Sequence, residues 1–450
     1  MSPTTDTATE RPPKALMRRI AMASCVGTTI EFYDFFIYGT AAALVFPTVF
    51  FPALGGAAGS VASFATFAVA FGARPLGAMI FGHFGDRIGR KKTLISTLLL
   101  MGISTFLIGL LPTAGAIGVA APVALIVLRI AQGLAVGGEW AGATLLAAEY
   151  APAGKRGLYG VFPQLGPALA FALSNATFLT VNLFVGETSD AFVAYGWRIP
   201  FIASGLLVLL GLYVRLKVEE TPMFTRQRTQ PRDTGSAPVV SVLWKQPREL
   251  LLAAGSMAMM FAFFYIGTAF LTAYGTATIG LSRASVLSIG ILAAVVFGAA
   301  IALSGICSDR FGRRRVVLAS CALSVPWALL LFPLLDTGSA AAFAVGLTVT
   351  LAIMGISYGP VGALLPEMFR TQYRYTGAGM AYALAGVIGG GTAPILAADL
   401  AASGGGAAIG WMLAGFGLLS LVCTLALPET RHRAMEQTAT SPAVAAAEID

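Results

Sequence analysis

The chain has 450 residues, of which 57% are apolar and 11% charged, where a soluble domain carries about 25% charged residues. With a mean hydropathy of +0.80, so much apolar surface cannot be hidden in a water-soluble core, and lipid is the solvent that fits. The formal charge of +8 does not indicate a nucleic-acid binder, because the basic residues follow a topological pattern instead.

The first 19 residues are polar, rich in Thr and Pro, and end in Met17-Arg18-Arg19. They read as a cytoplasmic tail rather than a cleavable signal peptide. A spanning helix needs about 20 mostly apolar residues. Twelve such runs follow in order: 20–48, 60–82, 94–112, 120–148, 158–184 and 198–217, then 249–275, 284–306, 316–334, 340–365, 376–400 and 408–427. The polar stretch between the sixth and seventh runs contains Gln230-Pro231-Arg232-Asp233-Thr234-Gly235-Ser236 and is linker-like. The predicted organisation is a tail (1–19), a six-helix bundle (20–218), a linker (219–247), a second six-helix bundle (248–428) and a tail (429–450). The fold class is an all-α membrane protein with twelve transmembrane helices in two pseudo-symmetric six-helix bundles. Abundant Gly and Ala lets such helices approach closely. Cys25, Cys307, Cys321 and Cys423 lie in or beside apolar runs without metal-ligand spacing and are expected to be buried free thiols.

Lys and Arg set the orientation. Of 29, 25 fall in the tails and in alternate loops on one side, which is therefore predicted to be cytoplasmic together with both termini. Arg198 and Arg283 lie on the other face, and Arg74 and Arg129 lie inside spans.

The chain also repeats itself. Residues 82–92 read Gly-His-Phe-Gly-Asp-Arg-Ile-Gly-Arg-Lys-Lys, and residues 305–315 read Gly-Ile-Cys-Ser-Asp-Arg-Phe-Gly-Arg-Arg-Arg. Each copy joins the second span of its half to the third. Glu149 precedes Arg156 by seven residues and Glu367 precedes Arg374 by seven, each pair after the fourth span of its half.

These motifs resemble the major facilitator superfamily, whose loop Gly-x-x-x-Asp-Arg-x-Gly-Arg-Lys/Arg matches both copies. The resemblance implies two bundles that rock about a central site. It also implies that Asp86, Arg87, Arg90, Asp309, Arg310 and Arg313 act with Glu149, Arg156, Glu367 and Arg374 as a cytoplasmic gate. Charge pairs at a wet interface are individually weak, so such a cluster can break and re-form in each cycle. A finer resemblance is to the metabolite:proton symporter branch, which includes shikimate, α-ketoglutarate, citrate and proline/betaine carriers. It rests on Glu31-Phe32-Tyr33-Asp34-Phe35, Arg74-Pro75-Leu76-Gly77, Arg129-x-x-Gln132-Gly133, Gly137-Gly138-Glu139-Trp140, Gly196-Trp197-Arg198-Ile199-Pro200-Phe201 and Glu220-Thr221-Pro222.

A charge at bilayer depth is expensive and asks for a reason. Asp34 lies roughly 21 Å up the first span and Arg74 roughly 18 Å above the second-span loop, at 1.5 Å per residue. Glu31 shares nearly the same face as Asp34, and Arg129 lies at comparable depth. A buried carboxylate is driven towards neutrality by desolvation and back by a neighbouring Arg, so a proton, an Arg and a bound anion can compete. In the superfamily's sugar porters an aspartate in span one pairs with an arginine in span four, and Asp34 and Arg129 match those places. The expected roles are Asp34 as proton acceptor with Arg129 as partner, Glu31 as the competing carrier, and Arg74 as the attractor of a substrate carboxylate. A static salt bridge locking spans one, two and four is the alternative. The second half lacks matching charges and offers only Tyr265, Tyr274 and Tyr358 as a pocket wall, so the site is expected to be asymmetric.

The expected function is secondary active transport: proton-coupled uptake of a mono- or dicarboxylate metabolite by alternating access. It would need no metal and no cofactor beyond the proton gradient. A symporter of osmolytes such as proline or glycine betaine, a proton-antiport efflux carrier and an uncoupled uniporter are the alternatives. The expected partners are the solute, protons and the lipid bilayer, with no nucleic acid, and the expected state is a monomer. No Walker loop or nucleophile elbow is present to suggest an enzyme.

Overall fold

The computed structural model describes residues 14–88, 90–137, 140–152, 154–186, 190–217, 238–370 and 374–431. Among these residues all regular structure is helical. Nine helices are long and apolar enough to cross a membrane, and two more apolar helices, Ile95–Leu110 and Ala120–Val136, are shorter. With Lys14–Leu44 they make a set of twelve.

In chain order the long helices are α1 (Lys14–Leu44), α2 (Gly56–Ile88), α3 (Arg90–Leu110), α4 in two segments (Ala120–Val136 and Trp140–Tyr150), α5 (Arg156–Val185) and α6 (Ile199–Lys217). The second half has α7 (Pro247–Ala277), α8 (Arg283–Phe311), α9 (Arg313–Leu335), α10 (Ala340–Met368), α11 (Arg374–Ala401) and α12 (Gly405–Ala426). Helix α1 begins at Lys14 rather than at residue 20. Hydropathy locates the apolar stretch, whereas backbone hydrogen bonding continues into the polar flank. Part of the expected linker is also helical, Pro238–Lys245; residues 218–237 lie outside the described set.

Packing repeats between the halves. In the first, α2 pairs with α4, and α3 with α4 and α6; in the second, α8 pairs with α10, and α9 with α10 and α12. The same pairs at an offset of six helices express the internal repeat as a pseudo-two-fold. The halves meet through α5 against α8 and α10, α2 against α11, and α1 against α7.

Burial separates inner from outer helices. In α7, 89% of the most apolar window is buried, against 39% in α8, α9 and α12. Outward positions such as Leu206, Leu209, Val295, Leu303, Leu330, Trp411 and Val422 are exposed and apolar, as a lipid-facing surface requires. Two inner helices depart from α geometry. Ile266–Phe270 in α7 and Gly386–Gly391 in α11 are π-helical, a distortion that often marks functional sites. The four cysteines are free, but only Cys25 and Cys321 are buried, while Cys423 is half-buried and Cys307 exposed; Cys307 lies on a face of α8 that hydropathy alone does not distinguish from the packed one.

Candidate functional site

The four intramembrane charges of the first half are all buried: Asp34 is 1% exposed, Glu31 2%, Arg74 3% and Arg129 0%. Asp34 and Arg129 share one network but make no direct ion pair among the described residues. Thr105 of α3 donates to Asp34 Oδ2 at 2.8 Å. Gln132 Nε2 donates to Thr105 Oγ1 at 2.7 Å, and Arg129 Nη1 donates to Gln132 Oε1 at 2.7 Å. Two neutral side chains thus stand between acid and base. Arg129 also lies 3.7 Å from the Tyr38 ring centroid and 5.0 Å from that of Phe35, contacts of cation–π type. Asp34 Oδ1 accepts no hydrogen bond.

Arg74 stands closer to the seam between the halves. Its guanidinium carbon lies 4.2 Å from the Phe71 centroid and 4.5 Å from that of Phe35. The ring of Phe35 is therefore shared by Arg74 and Arg129. Arg74 has no carboxylate partner among the described residues. Phe71 and Phe67 meet Tyr265 of the second half edge-on, at 4.9 and 5.2 Å between centroids. Glu31 lies within electrostatic range of Asp34, Tyr265 and Tyr358.

A ring of contacts closes over Arg74. Trp140 of α4 stacks on Tyr382 of α11, centroids 3.7 Å apart and planes 7° from parallel. The Tyr382 and Tyr358 hydroxyls are 3.3 Å apart. Gln164 of α5 donates to the Tyr358 carbonyl at 2.9 Å and accepts from the Trp140 indole N–H at 3.3 Å. The cavity bounded by Arg74, Trp140, Gly379 and Tyr382 has a volume of about 10 Å³, room for roughly one water. Tyr265 and Tyr358 therefore sit at the seam. Tyr274 does not: its hydroxyl donates to Asp336 at 3.2 Å and its ring packs on Phe332.

The basic end of the bundles is closed by a charge cluster. Asp309 accepts from the N–H groups of Gly157 and Leu158 at 2.8 and 2.9 Å. It thereby caps the first turn of α5, where unpaired amides and the helix dipole favour an anion. Arg313 pairs with Asp309 at 2.9 Å and with Glu367 at 3.3 Å. Arg156 reaches Glu367 from the other half at 3.6 Å. Arg374 is buried, and Arg310 lies over Phe311. Gly312 has φ +101°, a conformation natural only to glycine, which accounts for the glycine of the Asp-Arg-Phe-Gly-Arg motif. The side chains of Asp86, Arg87, Arg90 and Glu149 lie outside the described residues, as does Glu139.

Sequence reasoning missed several residues here. Thr105, Gln164, Tyr382 and Glu429 were not singled out, and Gln132 and Trp140 were read only as motif positions. Glu429 accepts from the N–H groups of Arg313, Thr430 and Arg431, and Thr430 donates to Glu367 at 2.7 Å. The available signal was spacing: Gln132 lies three residues after Arg129, one turn away on the same face.

The sequence profile described as Major Facilitator Superfamily matches residues 25–394 and again 294–447. The chain is 43% identical over 437 residues to the inner membrane metabolite transport protein YhjE of Escherichia coli (strain K12), covering 96% of this chain and 99% of that one. It is 40% identical over 388 residues to the shikimate transporter of the same organism, covering 85% and 87%. Among solved structures, the proton:xylose symporter XylE of E. coli superposes with a TM-score of 0.74 at 18% identity, covering 93% of this chain and 97% of that one.

Proposed function

The chain belongs to the major facilitator superfamily, and from that premise we propose that it is a proton-coupled carrier for uptake of a small organic carboxylate across the bacterial cytoplasmic membrane. It is a transporter of metabolites, not an enzyme. In the proposed topology the basic end and both termini face the cytoplasm.

Arg74 is the observation that carries the substrate class. A buried guanidinium without a carboxylate partner is costly, and this one lies at the seam where the bundles would part. A mono- or dicarboxylate arriving there would supply the missing charge and bidentate acceptors. The rings of Phe35, Phe71, Trp140, Tyr265 and Tyr382 around it favour a solute with apolar or ring-shaped bulk. Asp34, one network removed, is the proposed proton acceptor, with Glu31 as the competing carrier. Keeping proton and solute sites apart lets each bias the same rocking equilibrium without competing for one contact.

The sealed seam and closed basic end support alternating access. Gate residues Asp309, Arg310, Arg313, Arg156, Glu367 and Arg374 are proposed to separate when the site opens to the cytoplasm, together with Asp86, Arg87, Arg90 and Glu149. Counterflow in proteoliposomes tests the reading, with a panel of mono- and dicarboxylates, shikimate first, set against proline and glycine betaine. A carboxylate should exchange, and Arg74→Gln should abolish its binding. Exchange of the osmolytes alone, or unchanged carboxylate affinity in R74Q, refutes the substrate class.

A further inference from the structure

Thr105 is fully buried, and its one hydroxyl hydrogen has two acceptors within reach. These are Asp34 Oδ2 at 2.8 Å and the Met101 carbonyl at 3.0 Å. A hydroxyl owns one hydrogen and two lone pairs, so it donates to one of them at a time. A third contact fixes the rest. Arg129 carries only donors, so the Gln132 atom 2.7 Å from its Nη1 is the carbonyl oxygen, and the amide nitrogen must face Thr105. Gln132 thus fills one Thr105 lone pair. One lone pair and one hydrogen remain to answer Asp34.

We infer that Thr105 and Gln132 form a relay that reports the protonation of Asp34 to Arg129. The inference rests on the reading of Asp34 as the proton carrier. With Asp34 ionised, Thr105 turns its hydrogen to the carboxylate. With Asp34 protonated on Oδ2, the acid O–H donates to the remaining Thr105 lone pair, and the Thr105 hydrogen turns to Met101. The proton arrives at and leaves from Asp34; in Thr105 no covalent bond changes, and only the hydroxyl rotates. The oxygen that receives the Gln132 amide therefore changes its bonding with each proton.

At the far end, Arg129 lies against Phe35, the ring that also faces Arg74, so the relay ends one aromatic ring from the seam. The charged and titratable groups around Asp34 are Glu31 and Tyr33 of α1 and Arg129 of α4. Beyond Phe35 and Phe67 stand Arg74 of α2 and Tyr265 of α7. Thr105 and Gln132 are positioning residues in this scheme, not proton carriers.

The test needs no identified solute. The full-length protein in phosphatidylethanolamine–phosphatidylglycerol vesicles is titrated while infrared difference spectroscopy follows the carbonyl stretch of protonated carboxylic acids. The Asp34 band is the one lost in Asp34→Asn. Thr105→Val removes the hydroxyl and keeps the shape. It should move the frequency of that band and displace its titration midpoint by about one pH unit or more, as a hydrogen bond to a charged group does. Thr105→Ser should restore both. Gln132→Met, which does not touch Asp34, should also move the band, and it carries the test if T105V does not fold. A wild-type spectrum without a titrating Asp34 band overturns the carrier reading and the relay with it. A band that titrates, yet keeps wild-type frequency and midpoint in T105V or Q132M, overturns the relay and leaves the carrier standing.

Discussion

Replacing Gly157 by Ala should bias the protein towards the state open at its basic end. Gly157 opens α5 directly beneath α8, and a Cβ built on it falls 2.3 Å from the Gly305 carbonyl oxygen, 2.5 Å from Ser308 Oγ and 2.9 Å from Asp309 Oδ1. Real Cβ contacts essentially never fall under 3.0 Å, so the helices must part by at least the difference, 3.0 − 2.3 = 0.7 Å. The obstacle is backbone, which cannot swing aside as a side chain can. That shift also stretches the two amide bonds to Asp309, now 2.8 and 2.9 Å. Overpacking of this kind costs about 1–3 kcal/mol, and the cost falls on the closed state alone, because opening removes α8 from Gly157. The equilibrium should therefore move about 5- to 150-fold towards the open end. Spin labels at the basic ends of α5 and α8, on a background without native cysteines, would read this as a longer distance population. Gly72→Ala is the control, since its added Cβ meets nothing within 4 Å. If G157A keeps the wild-type distance distribution, no backbone-to-backbone seam at Gly157 closes this end.

Other perturbations act on different parts. Glu367→Ala removes the carboxylate that Arg156 reaches from the other half and should weaken closure by about 1 kcal/mol, read by the same spin labels; an unchanged distance population would remove Glu367 from the gate. Trp140→Ala deletes the stack on Tyr382 and should cost about 3–5 kcal/mol, seen as a lowered Tm in detergent, with W140F recovering much of it. A Tm unmoved in W140A would mean that the stack does not hold the seam. Asp34→Asn should retain counterflow while losing accumulation driven by a pH gradient, and uphill uptake by D34N at the wild-type level would exclude Asp34 as the carrier.

The fold was legible because a lipid solvent writes its demands along a single helix: the twelve apolar runs overlie the twelve long helices. The loop motif was legible for a similar reason, since Gly312 needs its positive φ locally. The site was less so. The sequence placed Asp34 and Arg129 at similar depth, but depth does not say what lies between them. Thr105 comes from a third helix and carries no charge, so its contact with Asp34 leaves no trace in hydropathy. Trp140 and Tyr382 lie 242 positions apart by number (382 − 140) and meet face to face, a relation that no periodicity within one helix encodes. Three tyrosines were equivalent by composition; packing separated Tyr265 and Tyr358, at the seam, from Tyr274, which is tied to Asp336.

The central claim is that proton and carboxylate move together, one at Asp34 and the other at Arg74. It is tested most directly by recording internal pH in lightly buffered proteoliposomes while the carboxylate identified by counterflow is added outside. The account predicts that the lumen acidifies as the solute enters, that D34N takes up solute down its gradient without acidification, and that R74Q shows neither. Solute entry in the wild type with no change in internal pH would contradict it.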